Sequence, residues 1–188
     1  MGFRSARGGG ASARFAAAEA TLLRGLVGEV AELVGGEPLP ADGAAPGGTP
    51  SEDILERMIG LSDSTSLPDD PVLARLLPDA YPDDEKAAGE FRRYTEESLR
   101  SGKVAAAAEV LATLPETGGS VKLSADQAQS WLRALNDVRL ALGVRLDVSD
   151  DRADMERRAA EEGPQVAAAL WVYDWLSILQ ETLVEALS

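Results

Sequence analysis

The sequence predicts an all-α fold: a compact helical bundle packed around a central C-terminal helix, with a disordered N-terminal tail. Three observations lead there. The last stretch, Pro164 to Leu187, sets Trp171, Val172, Trp175, Leu176, Ile178, Leu179 and Leu183 on one broad arc at 3.6 residues per turn. An arc covering about half the circumference needs neighbours on several sides. Apolar residues recur at helical spacing in several earlier stretches, and none alternates long enough to read as a strand.

Taken in order, residues 1–14 are mostly Gly, Ser, Ala and Arg and read as a flexible tail. Residues 15–188 read as the helical domain. Its first helix runs from Phe15 to Val34 through Leu22, Leu23, Leu26, Val27, Val30 and Leu33, and Gly35-Gly36 ends it. Residues 35–50 are mostly Gly, Pro and Ala, a flexible loop within the domain. Thr49-Pro50-Ser51-Glu52 opens a short helix with Ile54, Leu55 and Met58 on its apolar side. Asp70-Pro71 starts another, which Pro78 stops, and a turn anchored by Tyr81 follows.

Asp84 is the expected cap of the next helix, with Phe91, Tyr94 and Leu99 inward and a break or bend at Gly102. It resumes through Val104 and Leu111 to Leu114, where Pro115 and Gly118-Gly119 end it. Ser124 and Gln127 form a capping box, and Leu123 can staple against Ala128. That helix runs to about Leu146 and packs through Trp131, Leu132, Leu135, Val138 and Leu142. Residues 147–163 are charged on every side, a solvated helix or loop. Gly163-Pro164 launches the final helix.

Composition narrows the function. With 32 acidic and 18 basic residues the formal charge is −14, which weighs against a surface for phosphate backbones or anionic lipid. The sequence has no cysteine and no histidine, so it offers no disulfide, no thiolate and no imidazole for metal or proton transfer. No stretch approaches the roughly 18 uninterrupted apolar residues of a membrane span, and the expected location is the cytoplasm. RGGG near the start lacks the preceding strand and following GK[ST] of a phosphate cradle. No nucleophile has a visible base; the chain reads as no enzyme, with no cofactor and no metal.

Three groups of side chains stand out. Arg139 falls inside the apolar arc of its helix, where an unpaired charge would cost roughly 3–5 kcal/mol. Asp174 or Glu181 is the expected partner in an inter-helix clamp; the functional alternative is a carboxylate- or phosphate-binding arginine. Asp174, Glu181 and Glu185 share one face like half of a carboxylate metal site, but without histidine they read as a solvated acidic edge. Trp131, Trp171, Trp175 and Ile178 are core residues, a homodimer surface, or the lining of a ligand pocket.

Four stretches carry a family resemblance: RFAAAEATLLRGLVGEVAELV, LARLLPDAYPDDEKAAGEFRRYTEESLR, LSADQAQSWLRALNDVRLALGVRL and VYDWLSILQETLVEAL. Together they resemble the actinobacterial domain-of-unknown-function family whose genes commonly lie beside the ClpS adaptor gene, and which includes the AosR-type oxidative-stress regulators. The resemblance covers nearly the whole chain after Arg14, except the Gly/Pro loop and residues 147–163. It implies a helical, cytoplasmic, non-enzymatic protein acting in transcriptional or stress regulation. Family regulators sense oxidation through a nearby pair of cysteines; this sequence has none, so that switch does not carry over. The resulting expectation is a regulator working through protein–protein contacts, with transcription machinery or its regulators as partners and homodimerisation as a further contact. Direct DNA binding, with Arg92, Arg93 and Arg100 as a basic patch, and small-molecule sensing are the alternatives.

Overall fold

The computed structural model describes residues 2–35, 70–78, 88–149 and 151–188. In chain order these form strands β1 (Arg4–Ala6) and β2 (Gly10–Phe15), helices α1 (Ala17–Gly35), α2 (Pro71–Leu76) and α3 (Ala88–Thr113), strand β3 (Gly119–Leu123), and helices α4 (Ala125–Arg145), α5 (Arg152–Glu161) and α6 (Pro164–Leu187). The fold is mostly helical with a small sheet, and so is not strictly all-α. The loop at 36–50, the helix expected after Thr49, the Tyr81 turn and the Asp84 cap lie outside the described residues, as do the side chains of Phe91, Arg92, Arg93 and Tyr94.

The first correction concerns the N-terminus. The sequence predicts a flexible tail over residues 1–14 and a helix from Phe15, but residues 4–15 form an antiparallel hairpin whose second strand, ending at Phe15, also pairs with β3, in the order β1-β2-β3. RGGG is the hairpin's corner: Gly8 and Gly9 turn the chain at φ 89° and 80°, where L side chains are strained. At Gly10 the chain passes so near β3 that a Cβ would run into the Leu123 carbonyl oxygen. The hairpin is held by large side chains at its ends. Phe3, Phe15 and Trp131 form one aromatic cluster, with ring centroids 5.6–6.1 Å apart. Trp131 is fully buried, and its indole N–H donates to Thr113 Oγ1 at 2.8 Å.

The second correction concerns the centre. α4, not the C-terminal helix, is the element the others share: α1, α2, α3 and α6 pack on it, with β2 and β3 across its start. Its capping box forms as read. Gln127 N–H donates to Ser124 Oγ at 3.2 Å and Ser124 N–H to Gln127 Oε1 at 3.0 Å. Trp131, Leu135, Val138 and Leu142 then line its buried faces. α6 packs on α4, α5, β1 and β2, which leaves part of its arc uncovered. α3 runs unbroken through Gly102, whose missing side chain faces open space, so nothing there requires a break.

Arginines close the helix ends. Arg100 donates to the Val34 carbonyl at the end of α1, and Arg24 to the Leu111 and Leu114 carbonyls at the end of α3. Arg158 donates to the Leu146 and Asp147 carbonyls just past α4. Terminal carbonyls lack intrahelical donors and carry the negative end of the helix dipole, so a guanidinium satisfies both needs. Asp70 serves α2 in two ways: Oδ1 accepts from Val72 N–H at 2.8 Å, while Oδ2 accepts from Arg145 at 2.9 Å.

Candidate functional surface on the C-terminal helix

Within the charged stretch 147–163, residues 152–161 form α5 because short-range pairs support it. Asp151 caps its start, Arg157 pairs with Asp154 and Glu161, and Arg158 pairs with Glu162 at 2.7 Å. The Arg158 hydrogen bond holds the Glu162 carboxyl below its usual range, and Glu162 in turn raises Arg158. Gly163, at φ 101°, then reverses the chain, and Pro164 fills the first position of α6, where no N–H is needed.

This α5–α6 hairpin encloses an open cleft of about 350 Å³. Met155, Ala159, Ala167, Leu170 and Trp171 supply its apolar lining, and Ser149, Glu156 and Asp174 its polar groups. Its volume is at the low end of the roughly 300–1,000 Å³ of ligand pockets. A single large side chain suits such an open cleft better than an enclosed metabolite does. A second cavity, between α1, α3 and α4, measures about 10 Å³ and has room for no more than about one water.

The tryptophans separate. Trp131 is core. Trp175 is 8% exposed and belongs to the core of α6, whereas Trp171 is 61% exposed and lies parallel to it, with ring planes 2° apart. Ile178 is 48% exposed one further turn along. Asp174, Glu181 and Glu185 are exposed on the same side of α6, at spacings of three, seven and four residues that keep them with Trp171 and Ile178. The result is an apolar strip edged by carboxylates, about 21 Å long from Trp171 to Glu185.

Those carboxylates make no hydrogen bond or ion pair with any other described residue. Among the described residues no set of three His, Cys, Asp or Glu side chains is placed to hold a metal ion. No described helix is long and apolar enough to cross a membrane.

The expected clamp is not formed. Among the described residues Arg139 makes no hydrogen bond or ion pair with Asp174 or Glu181; it is half-buried, and its Nε is buried without a partner. Among the described residues, ion pairs that tie distant elements include Lys103–Asp137, at 2.6 Å between α3 and α4, and Arg145–Asp70. Asp137 is buried to 5% exposure in the apolar face of α4. Burial raises its carboxyl above the ordinary aspartate value, and the Lys103 hydrogen bond and charge oppose that rise only in part. Neither partner was found from the sequence; an aspartate between Leu135 and Val138 was the available signal. Arg100, one of the three arginines of the suggested DNA patch, is engaged with the end of α1.

The chain matches the family described as "Domain of unknown function (DUF2017)" over residues 1–187. Proteins named oxidative stress regulator AosR from Mycobacterium tuberculosis and Mycobacterium bovis are each 35% identical to it over 183 residues, covering 88% of this chain and 77% of theirs. A Mycobacterium leprae protein, named as a candidate regulator of the same kind, is 40% identical over 149 residues, 72% of this chain and 67% of its own. No solved structure matches. By the extent of the family match and by these relatives, the chain belongs to the DUF2017 family.

Proposed function

We propose that this protein is a non-enzymatic regulator in the response to oxidative stress, and that it works by binding another protein through the exposed strip of α6. The regulatory role rests on the mycobacterial relatives named as oxidative stress regulators. The observation that supports a docking mode is Trp171: a tryptophan 61% exposed beside an open apolar cleft, on a helix whose Val172, Trp175, Leu176, Leu179 and Leu183 are core. Exposed aromatic anchors of this kind are enriched at protein interfaces. Transcription machinery or one of its regulators is the partner class that the family resemblance suggests, and the cytoplasm is where such a partner would be met. Without a cysteine, the protein cannot signal through a thiol, so any oxidative input reaches it by another route.

Deleting the gene in its native host and challenging with peroxide tests this reading. Reintroduced wild type should restore resistance, while a Trp171→Ala, Ile178→Ala double variant accumulating to the same level should not. A deletion strain as resistant as its parent would contradict the stress role. Full rescue by the double variant would contradict this surface.

A further inference from the structure

Resting on that reading, we infer that the partner presents a basic amphipathic helix, which lies along α6 with an apolar or arginine side chain seated in the α5–α6 cleft beside Trp171. Charge carries the argument. From Pro164 to Ser188 the chain has no Lys or Arg, while Asp174, Glu181 and Glu185 edge the strip with no described partner. Trp171 and Ile178, exposed seven residues apart on one face of α6, are the complement of a second amphipathic helix, whose anchors recur at three, four and seven residues. Lysine or arginine flanking those anchors would meet the three carboxylates. An arginine reaching the cleft would place its guanidinium over the Trp171 ring near Asp174.

The same charges disfavour a second copy of this chain on this face. A two-fold dimer along α6 would bring the carboxylates of one strip against those of the other, with no lysine or arginine on either helix to separate them.

The test uses the full-length protein and a fluorescently labelled synthetic peptide about 18 residues long, with leucine at helical spacing and lysine elsewhere. A second peptide has glutamate in place of every lysine. The lysine peptide should bind and the glutamate peptide should not. Trp171→Ala should weaken binding about tenfold or more, as should the triple variant Asp174→Asn, Glu181→Gln, Glu185→Gln. All four altered positions are exposed, and circular dichroism and thermal melting would show each variant folded. A control triple, Glu32→Gln, Glu97→Gln, Glu116→Gln, removes equal charge from exposed sites off α6 and should leave affinity within about threefold.

Equal losses in the two triples would show attraction to net charge alone and overturn the proposal. So would indifference to Trp171→Ala, or a dimer in sedimentation that Trp171→Ala dissociates. The peptide and the peroxide assays separate the two claims. A strip variant that binds the lysine peptide normally yet fails to restore resistance leaves the regulatory reading standing and removes the basic helix. Peptide binding that depends on the strip, in a protein dispensable under peroxide, does the reverse.

Discussion

Trp171 and Trp175 lie one turn apart with their rings parallel and their centroids 6.5 Å apart, yet one is 61% exposed and the other 8%. The buried ring is part of the core, and the exposed one rests on it as a preset aromatic surface. Trp175→Ala should therefore cost about 3–5 kcal/mol, the range for large buried aromatics. Trp171→Ala should cost only about 1 kcal/mol, mostly the lost stacking. Urea denaturation of the two variants measures this; equal costs would mean that Trp171 is also core.

The Lys103–Asp137 pair should give stability a pH dependence of defined sign. Because the folded carboxyl is raised above its ordinary value of 3.8, the native state binds more protons than the unfolded one between that value and the folded one. Stability attributable to Asp137 thus falls as pH rises through that window and is flat above it. Lys103→Met removes the opposing charge and should destabilise by about 3 kcal/mol at pH 7, with the deficit shrinking toward pH 4. Asp137→Asn should stay within about 1 kcal/mol of wild type, since the amide oxygen can still accept from Lys103. Denaturant titrations at pH 4, 5 and 7 would check the sign.

The N-terminal hairpin should be part of the cooperative fold. Phe3 is 5% exposed, it packs edge-on to Trp131, and its N–H donates to Thr182 Oγ1 at 3.1 Å. Phe3→Ala should cost about 3 kcal/mol. A detached tail would show no effect in the same thermal and urea melts.

Arg139 should prove dispensable for the fold. It has no described partner, and its Nε is buried unpaired, so Arg139→Met should be neutral or stabilising by about 1 kcal/mol. A loss above about 2 kcal/mol in urea titration would point to a clamp.

How much of this could be read from the chain varied with the range of the interactions. Local signals were legible: the Ser124–Gln127 box, the Asp70-Pro71 start and the apolar face of α4 depend on residues within a few positions. The sheet was not, because β1 and β2 are short and built largely of Gly, Ala and Ser, and β2 pairs with a strand more than 100 residues away. Lys103 and Asp137 are likewise 34 residues apart, and one aspartate scarcely alters an apolar pattern. On α6 the broad arc was legible, but which sector stays open depends on where α5, β1 and β2 lie. The sequence of α5, charged on every side, gives no sign of where it packs.

Whether α6 docks a partner through Trp171 can be read by crosslinking in the native host. A photoreactive residue would be placed at 171, and in a second strain at 184, where Val184 is 46% exposed but lies about 140° around α6 from Trp171. A discrete crosslinked partner is expected from position 171, absent from position 184, with no crosslink to a second copy of this chain. The same products from both positions, or a self-crosslinked dimer from 171, would contradict it.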